Sequence, residues 1–417
     1  MQQAALQFAT RARNAKTALA LLDAAKKRKL IYRMAEQLVA HSDLILEHNA
    51  IDMAEGRKAG LSKALLDRLL LSPERIEEMA QSLREIADLD DPVGEMYEFK
   101  RLDNGLQLAK MRVPIGTVLI IYESRPNVTS DAAGLCIKSG NSCILRCGKE
   151  ALNSANAIGK VLQQALSEMK LPVDAITVID DSSRELLEEL LKLHKHIDLV
   201  VPRGGEGLIQ FVTDHSKIPI VKHDKGLCHI YIDEHAQIPM AKSITLNAKV
   251  QRPGVCNAAE TLLVHQNIAA RILPELIADL IAKGVEIRGC EITRELSKNS
   301  AVVTAQDVDW DTEYLDLILS VRVVPSLQAA IDHINTHGSQ HSEAIVTDHY
   351  ENARHFQQAV DSAAVYVNAS TRFTDGGQFG MGAEIGISTQ KLHCRGPMGV
   401  RDLTSSKFVI NGNGQIR

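Results

Sequence analysis

The 417 residues, 45% of them hydrophobic, suffice for two or three domains with cores of their own. A net charge of -5 and only 4% aromatic residues offer neither a basic surplus nor stacking platforms, which argues against nucleic acid as a partner. No apolar run approaches the roughly 20 residues of a membrane span, and seven cysteines, an odd number, suit a reducing, cytoplasmic setting better than a disulfide scaffold.

The Arg-bearing start MQQAALQFATRARNAKTALALL has the look of a transit peptide, but its apolar spacing runs on into DAAKKRKLIYRMAEQLVAHSDLILEH and predicts the first helix of the fold. Three- and four-residue apolar spacing predicts helices up to residue 90, with GLSK and LSPERIEE supplying breaks and caps. Asn104-Gly105 between alternating segments predicts two strands around 98–112. From Gly116 the runs TVLIIY, SCILRC, DAITVID, IDLVVP and IPIVK alternate with helical stretches, which predicts a parallel sheet covered by helices on both faces. Ligands in such sheets lie beyond the carboxyl ends of the strands. A second alternating unit follows through CHIYID, ETLLVH, LDLILSVRVV, EAIVTD and AAVYVNAS. The tail TSSKFVINGNGQIR reads as a lone strand in need of a partner, expected from the hairpin of a neighbouring subunit.

Four segments carry residues with chemistry. Cys256 in VQRPGVCNAAE follows a Pro-Gly turn, and two readings stay open for it. It is a small buried hydrophobe, the commonest fate of a free cysteine, or a nucleophile whose thiolate is favoured by the N–H groups of the turn. Cys136, Cys143 and Cys228 sit on apolar patterns and are expected in the core. In VVPRGGEGLIQF, Gly204 and Gly205 lie between a strand and a helix start, as in a phosphate-binding turn or a tight turn without a ligand; the full dinucleotide spacing is missing. Arg146 and Lys149 in ILRCGKEA stand at the carboxyl end of a strand, where two cations suit a ribose 2′-phosphate or form an ordinary solvated strand end. In DHINTHGSQHSE, His333 and His337 share a helix face, but Gly338 is expected to end the helix before His341 and no Cys or carboxylate completes a ligand pattern. A polar helix end with anion-contacting histidines is expected there rather than a metal.

The stretches MRVPIGTVLIIYESRPNVTSDAAGLCIKSGNSCILRCGKEA, VPRGGEG, NAKVQRPGVCNAAETLLVH, AIDHINTHGSQHSEAI and VYVNASTRFTDGGQFGMGAEIGIST together resemble the aldehyde dehydrogenase superfamily. Within it the likeness is to the branch that reduces L-glutamyl 5-phosphate to L-glutamate 5-semialdehyde with NADPH, in proline biosynthesis, and it covers nearly the whole chain. It implies an α/β fold of two doubly wound parallel-sheet domains: an NADP(H)-binding domain over 1–97 and 113–223, and a catalytic domain over 224–395. A small β flap, 98–112 with 396–417, is implied to serve subunit assembly in a homo-oligomer. By position Cys256 matches the family nucleophile, Asn127 in SRPN the asparagine whose amide helps hold the oxyanion, and Glu313 in EYLDLI the acid that contacts the nicotinamide ribose. Arg146 aligns with the family's adenosine-ribose lysine, and Lys149 falls where NAD-using members carry a glutamate, which implies NADPH. Arg125, Arg252 and Arg372 lie in matched motifs, as cations for the substrate phosphate or as structural ion-pair partners.

One departure from the family pattern bears on the chemistry. Where aldehyde-oxidising members have a catalytic glutamate ahead of Gly-Gly, this chain reads VKHDKGLCHIYID, with His223 or Asp224 near that position and one glycine fewer. That glutamate activates the water that hydrolyses the thioester, so its loss implies a thioester reserved for phosphate. Two alternatives stay open: an aldehyde dehydrogenase that hydrolyses its thioester, with Asp224 as substitute, and a silent nucleotide-binding scaffold for glutamate 5-kinase. Association with that kinase is also compatible with the enzyme role, because a labile acyl phosphate benefits from short transit.

Overall fold

The computed structural model describes residues 1–222 and 225–417, apart from the side chain of Ala64. The N-terminal segment folds as five helices: α1 (Gln2–Ala20), α2 (Ala24–Ala40), α3 (Ser42–Lys58), α4 (Lys63–Leu69) and α5 (Pro73–Asp88). Ala5, Ala9, Ala12, Ala15 and Leu19 form the buried stripe of α1, so the segment that resembles a transit peptide is a packed part of the fold. The LSPERIEE break caps α5: Ser72 accepts from the Arg75 N–H at 3.3 Å and Pro73 takes the first turn, where its missing N–H costs nothing. Among the described residues no helix is long and apolar enough to cross a membrane.

The chain divides into two compact units, Met1–Lys222 with Gly380–Gly386 and Pro397–Arg417, and His223–Phe379 with Ile387–Gly396. In the first, β1 (Met96–Arg101) and β2 (Gln107–Pro114) form the expected antiparallel hairpin. Gly105 turns it at φ +87°, a conformation that glycine adopts without steric cost. The tail strand β16 (Thr404–Asn411) pairs antiparallel with β2, from Thr404 opposite Pro114 to Asn411 opposite Gln107. Its partner is therefore the hairpin of its own chain, which corrects the expectation of a neighbouring subunit; a tethered partner is available without the entropy of association.

The parallel sheet of this unit runs β5-β4-β3-β6, with β3 (Thr117–Tyr122), β4 (Ser142–Arg146), β5 (Ile176–Val178) and β6 (Leu199–Arg203). The chain starts in the middle at β3, moves outward through α6 (Val128–Lys138) and α7 (Leu152–Glu168), then returns to the other side of β3. After β5 come α8 (Arg184–Leu191) and, beyond β6, α9 (Glu206–His215). Leu119, Ile121, Ile144 and Val200 pack under Ala5, Ala9, Leu186 and Leu190, while the alternate residues Val118 and Ile120 are also fully buried. The reversal of strand order falls between β3 and β6, the switch point where ligands bind in such sheets. IPIVK, expected as a further strand, contributes only a bridge from Ile220 to Val200, because Pro219 has no N–H to continue a ladder.

The second unit is built on a seven-stranded sheet, β10-β9-β11-β8-β7-β12-β13, in which every pairing is parallel. Its strands are β7 (Cys228–Ile232), β8 (Ala259–His265), β9 (Glu286–Gly289), β10 (Val303–Thr304), β11 (Ile318–Val324), β12 (Ser342–Val346) and β13 (Ala364–Val367). Helices α10 (Ile238–Val250) and α11 (Gln266–Ala282) cover one face, where Ala241, Ile272 and Leu276 meet Ile230, Leu262 and Val264. On the other face α13 (Leu327–His337) and α14 (Tyr350–Ala359) place Ile331, Ile334 and Phe356 against Tyr231, Leu263 and Ile345. The short strands β9 and β10 and α12 (Glu291–Ser297) between them were not expected; too few residues repeat there to show a period. Two-residue strands β14 (Ile387–Ser388) and β15 (Gly396–Pro397) precede β16.

Candidate active site

In the first unit β3 delivers the chain to the loop 123–127, which opens α6. Asn127 is exposed there, and its Nδ2 donates to Asp131 Oδ2 at 3.2 Å, one helical turn on. Asp131 also accepts from Ser82 Oγ at 2.9 Å, and burial pushes its carboxyl up to about 6. A side-chain amide has two N–H groups, so one can orient Asn127 while the other meets an incoming oxygen. Arg125 is exposed in the same loop.

Gly204 and Gly205 follow β6, across the switch point from Asn127. Gly205 N donates to Glu123 Oε2 at 3.0 Å, and a side chain on Gly204 would come within 2.6 Å of Glu123 Cδ. A carboxylate thus already takes one amide that the sequence offered to a phosphate, and an anion bound there has to displace it. Glu123 went unnoticed in the sequence, although an acid directly after the fully buried TVLIIY was the available signal.

Arg146 ends β4 with only 9% exposure. Its Nη2 donates to the Ser182 carbonyl, and its buried Nε has no hydrogen-bond partner. Burial holds its pKa below the ordinary arginine value, opposed by Cys147, Glu150 and Asp181. Lys149 is exposed at the start of the next turn, so the two cations do share the strand end. The unpartnered buried nitrogen fits an anionic cofactor group, whereas the neighbouring acids compete for the same charge.

In the second unit Cys256 is half-buried in the loop that feeds β8. Its backbone is clamped from one side by Gly226: a Cβ there would lie 2.2 Å from the Cys256 carbonyl oxygen and 2.3 Å from its Cα. The Cys256 carbonyl accepts from Cys228 Sγ at 3.2 Å, and Gly226 N donates to Glu313 Oε1 at 3.0 Å. Glu313, named from the sequence as a ribose ligand, is therefore held one residue contact away from the thiol's own backbone.

Arg372 is tied to Asn257, the residue that follows Cys256. It donates from Nη1 to Asn257 Oδ1 and from Nε to Gln251 Oε1 at 3.0 Å, while Asn257 Nδ2 donates to the Thr374 carbonyl at 2.9 Å. Burial lowers the Arg372 pKa, and the positive charge of Arg252 lowers it further. A cavity of about 210 Å³ opens beside this arginine, lined by Asn247, Gln251, Arg372, Phe373, Asp375 and Gln378. The second unit therefore gathers four of the named residues, Cys256, Arg252, Glu313 and Arg372, and adds Gly226 and Asn257, whose parts the sequence did not signal.

The other motifs resolve into packing. Cys136, Cys143 and Cys228 are fully buried, as expected, and burial pushes the Cys228 thiol up. α13 ends at His337 with Gly338 as its cap. His333 is buried against Arg322, which donates to its Nδ1 at 3.0 Å, and is held down at about 2; His337 faces Asp311 at 2.8 Å. Among the described residues no three His, Cys, Asp or Glu side chains form a group fit for a metal. His223 and Asp224, the positions nearest the missing family glutamate, lie outside the described residues.

Comparison with known proteins places these features in context. The family model for the aldehyde dehydrogenase family matches residues 2–288. The gamma-glutamyl phosphate reductase of Nautilia profundicola is 55% identical over 405 residues, 97% of this chain and 98% of that one. That of Thermoanaerobacter pseudethanolicus is 52% identical over 415 residues, 99% of this chain and 100% of its own. The crystal structure of gamma-glutamyl phosphate reductase from Thermotoga maritima superposes with a TM-score of 0.97 at 47% identity, covering 99% of both chains. The chain belongs to the aldehyde dehydrogenase family, in the branch of the gamma-glutamyl phosphate reductases.

Proposed function

We propose that the protein reduces L-glutamyl 5-phosphate to L-glutamate 5-semialdehyde and inorganic phosphate with NADPH, a step of proline biosynthesis. The observation that carries the reading is Cys256 on a backbone clamped by Gly226 and flanked by Arg372 and Arg252. The names of relatives that match over the full chain support the same substrate.

In this reading the Cys256 thiolate attacks the γ-carbonyl carbon, and a carbon–sulfur bond forms as the tetrahedral oxyanion develops. The Cys256 N–H and, by family likeness, the Asn127 amide stabilise that oxygen. The carbon–oxygen bond to phosphate then breaks, and Arg252 and Arg372 meet the charge of the departing phosphate, with Arg125 as a further candidate. When bound, the nicotinamide supplies a hydride, two electrons, to the thioester carbon. The thiohemiacetal is then an alkoxide, which re-forms the carbonyl as the carbon–sulfur bond breaks, releasing the aldehyde and returning the Cys256 thiolate. Glu313 is the residue assigned to the nicotinamide ribose, and Gly204 and Gly205 to the cofactor phosphates once Glu123 has moved aside.

Arg146 and Lys149 are assigned to the 2′-phosphate, which makes NADPH the cofactor. Kinetics with glutamate 5-kinase, ATP and glutamate as the substrate source test this. Arg146→Ala and Lys149→Ala, each made singly, are expected to raise KM for NADPH about tenfold to a hundredfold and to leave NADH kinetics nearly unchanged, since a charge-assisted hydrogen bond contributes about 1.5–3 kcal/mol. Equal losses with both cofactors would return the pair to the role of a structural strand end. Assembly through the β1-β2-β16 sheet belongs to the same proposal, supported by the exposed Phe99, Phe408 and Ile410. So do a cytoplasmic setting, in keeping with an odd number of cysteines, and a transient association with the kinase.

A further inference from the structure

Lys249 and Glu260 are both fully buried and meet at 2.6 Å. They stand at the two ends of the nucleophile loop, Lys249 in the last turn of α10 and Glu260 second in β8, so their ion pair closes the segment that carries Cys256. The pairing of β7 with β8 slips at this point: Cys228 faces Ala259 but His229 faces Thr261, leaving Glu260 as the extra residue of a bulge. Bulges re-aim a side chain and gather beside active sites.

The second oxygen of Glu260 accepts from Leu315 N at 3.1 Å. Leu315 has φ +54°, a conformation a leucine keeps only when its surroundings hold it. Two residues earlier in that turn, Glu313 accepts from Gly226 N at 3.0 Å, and Gly226 lies against the Cys256 backbone. One buried carboxylate thus ties together α10, the bulged start of β8 and the turn that presses Gly226 onto the nucleophile.

We propose that Glu260, with Lys249 as its counter-ion, is the positioning residue of this active site, fixing the Cys256 loop and the Glu313 turn in one geometry. The proposal rests on the reading of Cys256 as nucleophile. A pair present only for stability predicts the opposite of a positioning pair, because exchanging a buried ion pair for apolar residues of similar volume is often neutral or stabilising.

The test is Lys249→Met/Glu260→Leu in the full chain. Melting temperature, kcat, KM and the rate of Cys256 alkylation by iodoacetamide are measured, with Cys290 and Cys394, also partly exposed, as internal references. A native-like melting temperature is expected together with a fall in kcat of about 100-fold, the usual scale of an ångström-sized misplacement. Alkylation at Cys256 should slow while Cys290 and Cys394 react as before. Wild-type kcat and wild-type Cys256 alkylation in a folded variant overturn the proposal.

Should the double variant not fold, Lys249→Met decides. Burial already pushes the Glu260 carboxyl up to about 7, so without its counter-ion it discharges by taking a proton, and the ion pair that closes the Cys256 segment is lost. A lowered kcat at unchanged KM with slowed Cys256 alkylation supports positioning, and wild-type values for both refute it. Cys256→Ala separates the two levels: turnover that survives it sinks the nucleophile reading, whereas a dead Cys256→Ala beside a fully active double variant sinks only the positioning role.

Discussion

Replacing Cys256 with alanine is expected to remove turnover by a factor on the order of 10⁶, the scale on which nucleophile deletions act, and to leave NADPH binding at its wild-type strength. The fold should tolerate the change, because two contacts at this residue are made by its backbone and survive it: Gly226 packs on its Cα and carbonyl, and Cys228 donates to its oxygen. The neighbouring thiol offers no rescue. Cys228 is fully buried in β7 and burial disfavours its thiolate, which is the reactive form. Initial rates with glutamyl phosphate and a fluorescence titration with NADPH check both halves of the expectation. Substantial turnover in the variant would mean that another group attacks the substrate.

Gly226→Ala is expected to lower activity by a smaller factor, through geometry rather than chemistry. The added Cβ would lie 2.2 Å from the Cys256 carbonyl oxygen, 2.3 Å from its Cα and 2.6 Å from its carbonyl carbon. All three are backbone atoms, so no side-chain rotation relieves the contact and the Cys256 loop itself must move. Overpacking of this kind costs about 1–3 kcal/mol of stability, and a displacement near an ångström costs about 100-fold in kcat. Because Gly226 N also serves Glu313, KM for the cofactor should rise in the same variant. Thermal unfolding and steady-state kinetics measure these effects together; a wild-type melting temperature with wild-type kcat would show that the loop accommodates the methyl.

The parallel sheets were legible because strands buried on both faces leave unbroken apolar runs, as TVLIIY does in β3. Asn104-Gly105 announced its hairpin through turn chemistry that few other residue pairs allow. The tail strand was readable as a strand, but nothing in its side chains distinguishes a partner in the same chain from one in a neighbour. Cys256 shows the same limit at the site. Its turn made it a candidate, and only the motifs around it in the family resemblance singled it out.

Residues whose part depends on distant contacts left no local trace. Gly226 matters because Cys256 lies against it, and Glu123 because β3 and β6 end side by side. Lys249 and Glu260 look in the sequence like ordinary surface charges. Their burial follows from the packing of α10 on β8, which no window of residues encodes.

The proposed mechanism has the thioester form from the acyl phosphate and, in the reverse direction, be resolved by phosphate rather than water. The most direct measurement is the reverse reaction, with purified protein, glutamate 5-semialdehyde and NADP⁺, following NADPH formation with and without inorganic phosphate. NADPH should appear only when phosphate is present. Equal rates in its absence would mean that water resolves the thioester and would contradict the assignment as an acyl-phosphate reductase.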